Sequence, residues 1–165
     1  MQQIADINAM SEGEFIAAFG DVAEHSPWVA QAAARERPFM GRTHMIIAFI
    51  DGLAAADQTA QLELIRAHPD LATRAKLTPD STREQSGAGL DSLTAEEFAR
   101  FTAFNDQHKL NYGFPFIFAV KGATKHQILA AFAERVDKSY DEEFAITLEQ
   151  VQRIIRFRLE DRVAP

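Results

Sequence analysis

No stretch of the chain sustains the alternation of apolar and polar residues that marks a half-buried strand. From Gln58 to Ala67, Leu62, Ile65 and Arg66 fall at helical spacings before Pro69 ends the run, and Thr43 to Ala56 is rich in apolar residues. Near the C-terminus, Phe144, Leu148, Val151 and Ile155 form one apolar stripe. Helix starts are signalled where Ser or Thr is followed three residues later by Glu or Gln, because the two side chains satisfy orphan N-terminal amides reciprocally. Ser11 with Glu14, Thr94 with Glu97, Thr124 with Gln127 and Ser139 with Glu142 all fit.

The pattern predicts an all-α fold, a helical bundle of about seven to eight helices joined by short loops, with residues 1–165 forming a single domain. No internal repeat, low-complexity stretch or linker interrupts it; Pro38, Pro69, Pro79 and Pro115 punctuate one continuous domain. A short extended segment is expected near 113–120, since Gly113 can stop the preceding helix and Pro115 biases Phe114 away from helical geometry.

Composition narrows the function. A chain of 165 residues with 47% hydrophobic content can bury a core. Its 17 Lys plus Arg against 24 Asp plus Glu give a formal net charge of -7, a poor footprint for nucleic acid or an anionic membrane surface. An anionic substrate must therefore be held by individual Arg or Lys side chains. The absence of cysteine excludes disulfides, thiolate nucleophiles and Cys-ligated metal sites. Met1 to Asp6 lacks the basic start and apolar core of a signal peptide, and no apolar run approaches the ~20 residues a bilayer needs, so a cytoplasmic protein is expected. The last three residues, Val163-Ala164-Pro165, are not a peroxisomal address.

The candidates for chemistry follow from position. His68 sits where Pro69 forces a helix to end, and the partial negative charge there favours an imidazolium that can donate a proton; the competing reading is a histidine capping its own helix. Ser81, Glu84 and Gln85 are spaced i, i+3 and i+4, so on a helix capped by Thr78 with Pro79 in its first position they project from one side. Alternatively, Ser81 and Glu84 form another capping box. Gly87 and Gly89 suggest close backbone approach beside this face, by a ligand or by another helix. The backbone amides of 116–120 lack helical partners and must find acceptors, either a ligand or neighbouring loops. On the last helix Arg158 falls within ~40° of the apolar stripe while Arg153 and Arg156 point elsewhere. A guanidinium there needs an anion, a structural carboxylate such as Glu84 or a bound substrate carboxylate, unless it snorkels to water. His25, His44, His108 and His126 make no i, i+4 pair, and no metal-ligand spacing, phosphate loop, dinucleotide fingerprint or nucleophile elbow occurs.

Taken together, His68-Pro69-Asp70-Leu71-Ala72, Ser81-x-x-Glu84-Gln85 with Ala88-Gly89-Leu90-Asp91, and Gly113-Phe114-Pro115-Phe116-Ile117 resemble the OHCU decarboxylase family, which acts on 2-oxo-4-hydroxy-4-carboxy-5-ureidoimidazoline (OHCU) in urate breakdown. His25 to Ala30, Arg37-Pro38-Phe39, Ile128-Leu129 and Ile154 to Leu159 extend the resemblance from about Phe15 to Leu159. It implies an all-α bundle and a cofactor-free, metal-free decarboxylation yielding (S)-allantoin. By the same resemblance His68 is the catalytic histidine, with Glu84 beside it in the catalytic set. Pro69, Ser81, Glu84, Gln85, the segment Phe116-Ile117-Phe118-Ala119-Val120 and Arg158 match substrate-contacting positions. A homodimer is implied as well. The chain departs from the family pattern ahead of Gly113, with His108 where Tyr is usual and Asn111-Tyr112 in place of Lys-Phe. Two other functions remain open to the sequence: an interaction module that keeps the fold without catalysis, and a decarboxylase of a related ureido acid.

Overall fold

Side-chain caps set where several of the helices begin. The computed structural model describes residues 1–73 and 77–165. Among the described residues it contains nine helices and no strand: α1 (Ile4–Ala9), α2 (Glu12–Phe19), α3 (Trp28–Ala34), α4 (Arg42–Ala54), α5 (Gln58–Ala67), α6 (Pro79–Gly87), α7 (Ala95–Tyr112), α8 (Lys125–Arg135) and α9 (Tyr140–Arg162). All four predicted capping boxes form. The side chains of Ser11, Thr94 and Thr124 each accept the N–H three residues on, and their own N–H groups donate in return to Glu14, Glu97 and Gln127; Ser139 does the same with Glu142. Gly113 closes α7 in the left-handed conformation, φ 74°, that a residue with a β-carbon resists. No described helix is long and apolar enough to cross a membrane.

The chain divides into two compact units. The first comprises Met1–Ala67 with Gln152–Pro165. Its core gathers Phe15 against Phe19, Phe39 and Phe49, with ring centroids 5.1–6.1 Å apart. Helices α3 and α4 approach closely at Gly52, where a β-carbon would lie 2.9 Å from that of Ala32. The two chain ends pair, Gln2 donating to the Arg162 carbonyl at 2.7 Å and accepting from Ala164 at 2.9 Å.

The second unit is His68–Val151. Here Phe116 stacks on Phe132 with centroids 3.6 Å apart, and Leu71, Ala72, Phe101, Val120 and Ile128 pack around them. This core also encloses charge. Glu143 is fully buried and accepts from both the Nε of Arg135, at 3.0–3.1 Å, and the Nε2 of His108, at 2.7 Å. The guanidinium lies 4.2 Å from the centre of the Phe116 ring, a cation–π contact in a dry setting. Tyr112 places its hydroxyl within 2.8–2.9 Å of the carbonyls of Arg135, Val136 and Lys138, which close α8. The two departures at His108 and Tyr112 are thus buried, bonded parts of this unit.

Burial opposes the charge of Glu143, but the hydrogen bonds and positive charges of His108 and Arg135 outweigh it and hold the carboxyl below the 4.5 of an ordinary glutamate. A carboxylate depressed in the folded state contributes stability that is complete above its unfolded value and is lost as pH falls through the folded one. The melting temperature is therefore expected to drop below pH 4.5, and to drop less steeply in Glu143→Gln, as thermal scans across pH 3–7 would read. Glu143→Ala, which strands a buried cation, should cost about 3–5 kcal/mol in urea unfolding; a loss below ~1 kcal/mol would contradict the buried pair.

Candidate active site

The three sequence strings that stood out meet in the second unit. α5 stops at Ala67, directly before the His68-Pro69 step, leaving His68 at the helix C-terminus and buried. The chain then turns through Ala72, whose φ of 58° is unusual for a residue with a β-carbon. The Ala72 N–H donates to Gln85 Oε1 at 2.9 Å, and Asn105 Nδ2 donates to the Leu71 carbonyl at 2.8 Å. Beside them Lys109 pairs with Asp70 at 2.6 Å.

Gln85 comes from α6, which starts as the sequence indicates, with Thr78 as cap and Pro79 in the first turn. Ser81 N–H donates to Thr78 Oγ1 at 3.3 Å, so Ser81 lies inside the helix and is not its cap; the alternative capping box with Glu84 does not form. Ser81 and Gln85 are buried on one face and Glu84 is half-buried beside them. Among the described residues no helix approaches closely at Gly87 or Gly89. A β-carbon on Gly87 would meet nothing within 4 Å, and one on Gly89 only the Ser92 hydroxyl at 3.9 Å. Gly89 is needed instead for its backbone, φ 77°, in the turn after α6.

The segment 113–120 is an extended connector without strand pairing. Side chains of three helices hold its middle, and its Val120 carbonyl accepts at 2.9 Å from Ala123 in the turn that follows. His108 Nδ1 lies 3.0 Å from the Phe114 carbonyl, and Arg135 Nη1 donates to the Ile117 carbonyl at 2.8 Å. Gln150 Oε1 accepts from the Ala119 N–H at 3.0 Å. Among the described residues, the N–H groups of Phe116, Ile117, Phe118 and Val120 meet no protein acceptor. Phe116, Ile117, Ala119 and Val120 are buried, and Phe118 is half-buried. With oxygen acceptors at both ring nitrogens, His108 is placed to donate from each.

Arg158 lies in the first unit and is buried, as its place on the stripe requires, whereas Arg153 and Arg156 are exposed. It pairs with the Glu24 carboxylate at 2.9 Å and also donates to the Val22 carbonyl at 3.3 Å. Glu24 carries no periodic signal that sequence reasoning uses. Asn105, His108, Arg135 and Glu143 did carry one. Asn105 and His108 sit on the α7 face of Phe101 and Tyr112, and Arg135 on the α8 face of Ile128 and Phe132. Polar residues at core-facing positions call for partners, the argument that singled out Arg158.

Among the described residues no three His, Asp or Glu side chains gather as a metal site would need. A cleft of about 600 Å³ lies in the first unit between α3 and α4, lined by Trp28, Arg35, His44, Ile47 and Asp51 among others, and contains none of the candidate residues.

Known proteins resemble the chain over nearly its whole length. A family model described as OHCU decarboxylase matches residues 8–160. The chain is 38% identical over 159 residues to 2-oxo-4-hydroxy-4-carboxy-5-ureidoimidazoline decarboxylase of Haloferax volcanii, covering 96% of this chain and 95% of that protein. It is 40% identical to the protein of the same name from Halalkalicoccus jeotgali, over 98% and 92% of the two chains. The crystal structure of (S)-allantoin synthase superposes with a TM-score of 0.81 at 31% identity; the match covers 98% of this chain and 54% of that one.

The two glycines give a test of the backbone assignment. Gly89→Ala should destabilise by about 1–2 kcal/mol through its left-handed conformation, while Gly87→Ala should be neutral or stabilising by up to about 1 kcal/mol. Equal losses at both positions in urea unfolding would restore the close-approach reading.

Proposed function

The chain belongs to the OHCU decarboxylase family, and from that premise we propose that it converts OHCU to (S)-allantoin and carbon dioxide, with His68 and Glu84 as the catalytic pair. The observation that carries the assignment of residues is the convergence of the turn after His68, the buried face of α6 and the 114–120 connector in one unit, tied by the Ala72 to Gln85 bond and the shared Phe116 core.

The chemistry asks little of the protein beyond placement and protons. When the carboxylate leaves, its bonding pair forms a double bond towards the ureido-bearing carbon, and the adjoining ring C=N takes up the displaced pair at nitrogen with a proton. The hydroxyl then becomes the ring carbonyl, and a proton is delivered to the ureido-bearing carbon from one face. The ring is its own electron sink. The proposed work of the protein is orientation, exclusion of water and proton delivery.

In this reading His68 engages the hydroxyl and carboxylate end of the substrate and moves the proton. Glu84, half-buried and beside Gln85 on α6, accepts from ureido and ring N–H groups. Gln85 spends Oε1 on Ala72 and offers Nε2 to a substrate carbonyl. Pro69 packs against the ring, and Ser81 adds a hydroxyl on the same face of α6. The N–H groups of 116–118 and 120 suit the carbonyl and carboxylate oxygens of the substrate. Arg158 remains the proposed handler of a carboxylate, with part of its donor capacity committed to Glu24. One family model matching residues 8–160 supports a single functional domain, and the family reading carries with it a cytoplasmic homodimer.

OHCU made in situ from urate by the two upstream enzymes should give allantoin of one hand when this protein is added, followed by circular dichroism. A silent trace would leave the interaction module standing; turnover of another ureido acid alone would favour the related decarboxylase. His68→Asn should retain the helical spectrum and lose turnover by at least about 100-fold, the scale of general acid–base catalysis. Wild-type decay rates in that variant would remove His68 from the mechanism. Glu84→Ala should raise KM and erode enantiomeric excess, and unchanged values of both would contradict its role.

A further inference from the structure

The turn after His68 is gripped at three consecutive residues by two helices. Lys109 holds the Asp70 carboxylate at 2.6 Å, Asn105 Nδ2 holds the Leu71 carbonyl at 2.8 Å, and Gln85 Oε1 holds the Ala72 N–H at 2.9 Å. Asn105 and Lys109 stand one helical turn apart on α7 and so present themselves to the same stretch of chain; Gln85 closes the grip from α6.

Two features argue that this grip is kept for more than packing. Ala72 holds φ at 58°, a conformation that costs a residue with a β-carbon about 1–2 kcal/mol and persists only where the surroundings fix it. Asn105 carries a second cost. Its Oδ1 is buried without a partner, and a stranded acceptor of that kind costs about 1–3 kcal/mol. An apolar residue on the Phe101 and Tyr112 face would avoid the stranded oxygen but would release the Leu71 carbonyl.

Between the gripped residues and His68 lies only Pro69, whose ring locks φ and leaves little slack to absorb a displacement. We propose that Asn105 and Lys109 are positioning residues for His68: by fixing Asp70 and Leu71 they set where the imidazole stands relative to the substrate, and Gln85 joins the same turn to the ligand. This rests on the reading of His68 as the group that handles the proton. Misplacement of a catalytic group by about 1 Å can cost on the order of 100-fold in rate, so the grip acts on kcat more than on affinity.

Lys109→Met, Lys109→Arg and Asn105→Ala test it in the full chain, with three readouts: OHCU turnover, (S)-allantoin affinity by calorimetry, and amide hydrogen exchange at Ala72. Lys109 is partly exposed, so its variants should keep the fold and decide the matter should Asn105→Ala unfold. The expected result is a fall in kcat of about 3- to 10-fold for Lys109→Met and at least about 10-fold for Asn105→Ala. KM and allantoin affinity should stay within about twofold, exchange at Ala72 should quicken, and Lys109→Arg should restore kcat. Folded variants with wild-type kcat and unchanged exchange would overturn the proposal. So would a rise in KM at constant kcat, which would make these residues substrate contacts. Failure of the functional reading looks different: the wild type itself would be inactive, or His68→Asn fully active, while exchange at Ala72 still reported the grip.

Discussion

The buried carboxylate of Glu143 is the constraint from which the second unit is organised. An extended segment inside a helical protein has no ladder to satisfy its backbone, so its buried carbonyls lean on side chains. Glu143 gathers His108 from α7 and Arg135 from α8, and those two side chains also reach the Phe114 and Ile117 carbonyls. Well-packed apolar residues in place of such a cluster can match or exceed its stability. They would not, however, orient two carbonyls. The network is better understood as what aims the connector: its oxygens are drawn to the charged cluster, and several of its N–H groups remain without protein acceptors.

The turn after His68 is anchored by a different kind of bond. Backbone groups of the turn bond to the neutral carboxamides of Gln85 and Asn105, and the ion pair of Lys109 with Asp70 is partly exposed. Carboxamides do not titrate near neutral pH, so the main-chain anchors of the turn are indifferent to a proton passing nearby. A carboxamide also offers an acceptor and a donor on one planar group. Glutamine at position 85 can accept from Ala72 and still donate, which an ionised glutamate cannot.

Most of the fold was legible because helix boundaries are local chemistry. The Ser11, Thr94, Thr124 and Ser139 boxes, the Thr78 and Pro79 start and the Gly113 stop each depend on a few adjacent residues, and all form. The burial of Arg158 was legible for a similar reason, since the stripe on α9 fixes its direction. Its bond to Glu24 was not. Glu24 is more than a hundred residues distant in sequence and sits in an irregular turn, where no period marks which way a side chain points. Asn105 and His108 were overlooked although α7 periodicity places both with Phe101 and Tyr112. Periodicity shows that such residues need partners; only the tertiary arrangement says that those partners are the Leu71 and Phe114 carbonyls. At Gly87 and Gly89 the pattern suggested close approach by a ligand or a helix; no described helix comes near, and the structure needs Gly89 for a dihedral angle.

Why the proposed chemistry falls on His68, α6 and the 114–120 connector follows from what a helix does to its own backbone. Inside a helix every N–H and C=O is paired, so the main chain has nothing to offer a polar ligand. Those groups become available only where helices are interrupted. The candidate strings lie at such interruptions: His68 one residue past the end of α5, Thr78-Pro79 at the start of α6, and Gly113 to Pro115 at the end of α7. Proline and glycine are what make the interruptions, and they are also what make the strings conspicuous in the sequence. A small substrate rich in carbonyl and N–H edges requires such freed groups, and an all-α protein can supply them only by stopping its helices around one place and holding the loose chain there with side chains from the helices that continue.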